Sequence, residues 1–118
     1  MIEVEMQRFL AGFAVEQLDP ETDRVTTPFS DRDGRSIRIY VNRRGSQFYL
    51  SCGNDRTFGP DRIGRSARQD ARERLREVLR RFDVYHINGE ISTEATKDNL
   101  PVRLKNLLQA LILLDVMF

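Results

Sequence analysis

The chain holds one cysteine, one histidine and two lysines among its 118 residues. Cys52 has no partner for an internal disulfide, which fits a reducing cytoplasm, and its place on an apolar row reads as a small buried hydrophobe. Cys52 and His86 together fall short of a zinc ligand set, so neither a metal nor a cofactor is expected. Lysine first occurs at Lys97 and no Glu-x-Lys is present, although a metal nuclease wants two or more acids converging with a lysine on adjacent strands. The aspartates at 31, 33, 55 and 61 are therefore read as turn formers, and no catalytic residue is assigned. Internal repeats and low-complexity tracts are absent. MIEVEMQRF carries acids where a secretory leader would be basic and then apolar. The C-terminal apolar run is too short, and too interrupted by Gln109 and Asp115, to span a bilayer, so no membrane partner is expected.

What is present suits one domain over residues 1–118, with 40% hydrophobic residues to build a core. The net charge of +1 hides an uneven distribution. From Arg24 to Arg81, fifteen arginines face seven acids, a balance of +8, whereas residues 1–23 stand at −5 and residues 82–118 at −2. Arginine supplies seventeen of the nineteen basic side chains, which favours bidentate contacts with carboxylate or phosphate. A biased genomic base composition would give the same excess.

The stretch from Val25 to Cys52 is the most ordered in pattern. Ile37, Ile39 and Val41 alternate with Ser36, Arg38, Tyr40 and Asn42, the period of a half-buried strand. Arg43-Arg44-Gly45-Ser46 turns the chain, after which Phe48, Leu50 and Cys52 alternate with Gln47, Tyr49 and Ser51. The two apolar rows can meet on one side of an antiparallel pair, leaving Arg38, Tyr40 and Tyr49 on the other. An earlier strand through Val25, Thr27 and Phe29 joins by Asp31-Arg32-Asp33-Gly34, and Pro28, lacking an N–H, argues for a sheet edge.

Three helices are expected. The first runs from about Ile2 to Leu18, with Met6, Phe9, Leu10, Phe13 and Gln17 on one stripe and Asp19-Pro20 ending it. The second is capped by Ser66 with Gln69 and reaches Phe82, burying Ala67, Ala71, Leu75, Val78, Leu79 and Phe82. Between them, residues 53–65 read as loop with one short extended piece near Thr57-Phe58. Asn88-Gly89 marks a two-residue hairpin between Tyr85-His86-Ile87 and Glu90-Ile91. The third helix starts near Asp98, tolerates Pro101 in its first turn and is apolar on nearly all sides, which makes it either a central helix or a contact for a second copy or a partner.

Two basic features remain. Gly59 to Ser66 matches a phosphate-loop spacing, but Arg65 stands where lysine belongs and no parallel strand precedes it. An ordinary loop is the simpler reading, with Arg62, Arg65, Ser66 and Arg68 retained as an anion-binding group at a helix start. On the following helix Arg68, Arg72, Arg76 and Arg80 recur every four residues, and could track a nucleic-acid backbone. Asp70 before Arg74, Glu73 before Arg76 and Glu77 before Arg81 could instead neutralise the face by ion pairs.

In order along the chain come VTTPFSD from Val25, IRIYV from Ile37, FYL from Phe48, VLRRFDV from Val78, NGEI from Asn88, and NLLQALILLDVMF from Asn106. This succession resembles the bacterial and phage family known as domain of unknown function 1828, over most of the chain from about Val25. The resemblance implies no established reaction; the family's prophage and defence-associated settings imply a regulatory or inhibitory partner-binding role. That family usually follows the second hairpin strand with Thr-Asp-Asp-Gly, where this chain has Ser51-Cys52-Gly53-Asn54. If the acidic pair carries an activity, it is lost here.

The reading is an α+β fold in which a small twisted antiparallel sheet, two consecutive hairpins plus a later one, packs with three helices. The favoured function is a non-catalytic, cytoplasmic interaction module, a small phage- or defence-associated factor, that binds a protein partner through Arg38, Tyr40, Tyr49, Arg43 and Arg44. Nucleic-acid binding through the same Arg and Tyr surface is the alternative, followed by a degenerate metal-dependent nuclease-like domain. A homodimer through the C-terminal apolar helix is a further expectation.

Overall fold

The computed structural model describes residues 12–53 and 68–117. Among them a six-stranded antiparallel sheet packs with two helices, an α+β arrangement. The strands are β1 (Ala14–Asp19), β2 (Thr22–Ser30), β3 (Ser36–Arg44), β4 (Gln47–Ser51), β5 (Tyr85–Ile87) and β6 (Glu90–Thr96), in the order β1-β2-β3-β4-β6-β5. The helices are α1 (Arg68–Phe82) and α2 (Leu100–Met117).

The alternation in β3 and β4 sorts their side chains as expected. Ile37, Ile39, Val41, Leu50 and Cys52 are each at most 1% exposed, while Tyr40 and Tyr49 are only half-buried. Val25 lies opposite Ile39, and Thr93 opposite Leu50, so the buried row continues across the sheet. Both helices contribute to the core beneath it, and α2 packs on β4, β6 and α1. This leaves the opposite face without a helix from the described residues.

The first expected helix is not what the structure shows over its C-terminal part. Residues 14–18 belong to β1, so the described residues contain two helices rather than three. Every β1 side chain is exposed, and β1 is held instead by its backbone ladder to β2 and by an ion pair between Glu16 and Arg24. Pro20 and Glu21 make the turn into β2, closed by Glu21 N–H donating to Asp19 Oδ1 at 2.8 Å, so Asp19-Pro20 ends a strand, not a helix. Met6, Phe9 and Leu10 lie outside the described residues; Phe13 packs against the core and Gln17 is exposed.

The expectation that β2 is an edge strand is also corrected, because β1 pairs with it from Thr22 to Thr26. Pro28 lies beyond that ladder and between Thr26 and Ser30, where the β2–β3 register shifts, so its missing N–H interrupts no regular pair. The β3–β4 turn is tighter than read, with only Gly45 and Ser46 between the paired Arg44 and Gln47. Asn88 and Gly89 both have positive φ, at 53° and 79°, as the hairpin spacing requires. Its second strand, β6, runs on to Thr96 and inserts between β4 and β5.

α1 ends at Phe82 in a Schellman turn. Asp83 takes φ 55°, Asp83 N–H donates to Arg80 O at 3.3 Å, and Val84 N–H donates to Leu79 O at 3.0 Å. The Asp83 carbonyl accepts from Thr93 Oγ1 at 3.2 Å, and its carboxylate pairs with Arg103 of α2, joining both helices to β6. In α2, Leu100, Leu104, Leu107, Leu108, Ala110, Leu111 and Leu114 are buried, whereas Val102 and Val116 are exposed. Arg32, in the β2–β3 loop, donates its backbone N–H to Asp115 Oδ2 at 3.0 Å and its guanidinium to the Asp115 carbonyl, which fastens that loop to the end of α2. Among the described residues, no helix is long and apolar enough to cross a membrane.

Candidate functional site

The face of the sheet opposite the two described helices carries a depression of about 330 Å³ lined by Thr22, Tyr40, Asn42, Arg44, Tyr49, Ser51, Gly53 and Glu90. Strand pairing explains why these residues meet. Thr22 lies opposite Asn42, Asn42 opposite Tyr49, and Tyr40 opposite Ser51, so three neighbouring strands place them on one face in consecutive rows.

Hydrogen bonds fix most of the polar lining. Arg44 Nε donates to Asn42 Oδ1 at 3.0 Å, and Asn42 Nδ2 donates to Thr22 Oγ1 at 2.8 Å. The Arg44 guanidinium also lies 4.4 Å from the centroid of the Tyr49 ring, a cation–π contact. Towards the other end, Ser51 Oγ donates to Glu90 Oε1 and accepts from the Gly53 backbone N–H at 2.9 Å. The depression thus has a cationic end at Arg44 and an anionic end at Glu90, with tyrosine rings between them.

Tyr40 lies against Gly53 so closely that a Cβ there would be 2.8 Å from Tyr40 Cε2. Only glycine combines that contact with the observed φ of 72°. Beyond Tyr40, Arg24 is hydrogen-bonded to Glu16; that bond, then the charge of Glu16, raises the arginine's pKa further, with smaller help from Tyr40. Asp23 belongs to the buried row opposite Val41, and desolvation by burial, reinforced by the charge of Asp19, pushes its carboxyl above the ordinary aspartate value.

The structure brings four of the five expected surface residues to this face. Tyr40, Tyr49 and Arg44 line the depression, and Arg38, exposed, lies two residues before Tyr40 on the same side of β3. Arg43 does not join them: it pairs with Phe48 in the row of Val41 and Leu50, which places it on the helix-bearing side at the end of the sheet. Arg62, Arg65 and Ser66, the expected anion-binding group, lie outside the described residues, as do Thr57, Phe58, Asp55 and Asp61; Arg68 is the first residue of α1.

Thr22, Asn42, Ser51, Gly53 and Glu90 are additions that pattern reading missed. Asn42 and Ser51 are in phase with Tyr40 and Tyr49, a signal that was available, whereas Glu90 arrives only because β6 pairs with β4. Asp31 is a turn residue as read: its Oδ1 accepts from the N–H groups of Asp33 and Arg35, each at 2.9 Å. Among the described residues, no three His, Cys, Asp or Glu side chains converge to hold a metal ion.

No curated protein and no solved structure matches the chain at a significant level. One family model does match, over residues 27–113, a span that takes in the last four residues of β2, all of β3 to β6 and both helices apart from the last residues of α2. On that match the chain belongs to the family described as domain of unknown function DUF1828.

Proposed function

We propose that this chain is a non-catalytic interaction module that binds a protein partner on the sheet face opposite the two described helices, in the phage or defence setting that the family resemblance implies. The observation that carries this reading is the preorganised depression: Arg44, Asn42, Thr22, Ser51 and Glu90 are already held in place, so little ordering entropy remains to be lost on binding. Half-buried Tyr40 and Tyr49 supply the aromatic anchors around which binding hot spots form.

The mixed charge of this face favours protein over nucleic acid as its occupant. Arg24, Arg38 and Arg44 share it with Glu16, Glu90 and Glu94, so a polyanion would meet about as much negative as positive charge there. Arg44 also occupies the Tyr49 ring, removing a surface on which a base would stack.

The test is affinity capture from the native host with nuclease-treated extract, comparing the wild-type chain with Tyr40→Ala/Tyr49→Ala. A specific partner should survive nuclease and bind the double variant about thirtyfold more weakly, a loss of about 2 kcal/mol. A partner that is released by nuclease, or retained equally by a folded double variant, would overturn the reading.

A further inference from the structure

α1 presents a second surface, on a different element from the depression. Ala71, Leu75 and Val78 form its buried stripe, with Leu79 and Phe82 packed against the core. Arg72, Arg76 and Arg80 follow one another at intervals of four along the border of that stripe, and all three are exposed. Each interval rises about 6 Å, so the row extends about 12 Å along the helix.

The self-neutralised face expected from the sequence does not form. Asp70–Arg74, Glu73–Arg76 and Glu77–Arg81 are all open, and the ion pairs among the described residues involve Arg24, Arg35 and Arg103 instead. Arg72, Arg76 and Arg80 have no ion-pair partner among the described residues, and with Arg74 and Arg81 they outnumber the helix's exposed acids, Asp70, Glu73 and Glu77, by five to three. An acidic protein partner fits less well than phosphate, because α1 exposes no large apolar side chain to anchor an interface. Single-stranded nucleic acid fits less well too: the sole aromatic residue of α1, Phe82, packs against the core and lies under Arg81 at 5.5 Å.

We infer that the Arg72, Arg76 and Arg80 row binds the phosphate backbone of duplex DNA without reading its sequence. Successive phosphates of one strand wind around the duplex as they advance about 3.4 Å along its axis, so they lie further apart than that rise, and a row of about 12 Å with three guanidinium groups faces at most about three of them. Guanidinium groups suit this role because their planar forks donate two parallel hydrogen bonds to phosphate oxygens.

Fluorescence anisotropy with a short labelled DNA duplex, titrated with the whole chain at several salt concentrations, tests the inference. Three phosphate contacts give a slope of log Kobs against log salt of about −2.7, roughly a fortyfold loss over a fourfold rise in salt. Arg72→Gln/Arg76→Gln/Arg80→Gln should bring the slope close to zero, and each single variant should reduce it by about 0.9. Arg38→Gln/Arg44→Gln should leave both affinity and slope unchanged, which separates this surface from the protein-binding face. The inference fails if the wild-type chain does not bind the duplex at low salt, if the triple variant keeps the slope, if Arg38→Gln/Arg44→Gln abolishes binding, or if poly-glutamate competes as well as duplex.

Discussion

Gly53→Ala tests whether Tyr40 is a fixed wall of the depression or a ring free to swing. A Cβ at this position would be 2.8 Å from Tyr40 Cε2 and 3.1 Å from Cδ2, while the backbone holds φ at 72°. The left-handed conformation costs an alanine about 1–2 kcal/mol whatever surrounds it. Displacing a ring that cannot yield freely adds about 1–2 kcal/mol, in the range of overpacked sites. The single variant should therefore lose about 2–4 kcal/mol in equilibrium urea unfolding. Tyr40→Ala removes the obstruction and leaves only the backbone part, so the double-mutant cycle should show a coupling of about 1–2 kcal/mol. Tyr40→Phe keeps the ring atoms that meet the Cβ, and in that background the full cost of Gly53→Ala should persist. Additivity of Gly53→Ala and Tyr40→Ala to within about 0.5 kcal/mol would refute the reasoning, because it would mean that the ring moves aside at no cost.

Three further outcomes follow from other parts of the molecule. Asp23 has a folded-state pKa above its ordinary 3.8, so its penalty is fully present above the folded value and fades as the pH falls through it; Asp23→Asn should raise the melting temperature at neutral pH, and this gain should disappear in thermal melts near the ordinary aspartate value. Arg32→Ala removes the guanidinium from the exposed end of α2 but leaves the backbone bond to Asp115, and should cost about 0.5–1 kcal/mol by urea unfolding. At Asp83, with φ 55°, Asp83→Gly relieves the backbone but loses Arg103, so its net effect should be near zero, whereas Asp83→Ala loses the pair without relief and should cost about 1 kcal/mol in the same assay.

The legible parts of the fold are those in which one strand or helix carries its own pattern. Ile37, Ile39 and Val41 faced inward as their alternation required, and Leu75, Val78 and Phe82 fixed the inner side of α1. Asn88-Gly89 needed no context either, since two positive φ values suit few other pairs. By contrast, β1 has no buried side chain, and its strand conformation comes from a ladder to β2 that leaves no periodic trace in the sequence. The same physics limited the site. Tyr40, Tyr49 and Arg38 were readable from phase within β3 and β4, but Glu90 depends on a non-local pairing of β6 with β4. Arg43 was misplaced because the turn was read as four residues, and a two-residue turn keeps it in the helix-facing row.

The segment Ser51-Cys52-Gly53, where the resemblance implies a Thr-Asp-Asp-Gly stretch that this chain lacks, lies at the anionic end of the depression, and its neighbours explain why neutral residues suit it. Cys52 is 1% exposed, its backbone N–H donates to the Ile91 carbonyl at 3.0 Å, and its sulfur accepts from the Ile91 N–H at 3.3 Å. A carboxylate in that position would be buried among Leu50 and Ile91, where an unpaired charge is strongly disfavoured. An acid at Gly53 would bring a Cβ into the Tyr40 ring. The negative charge at this end comes instead from Glu90, supplied by another strand and positioned by the Ser51 hydroxyl. The binding proposed for this face therefore rests on Ser51 holding Glu90, and placing acids at positions 52 and 53 would disrupt both the core beneath the depression and the ring beside it.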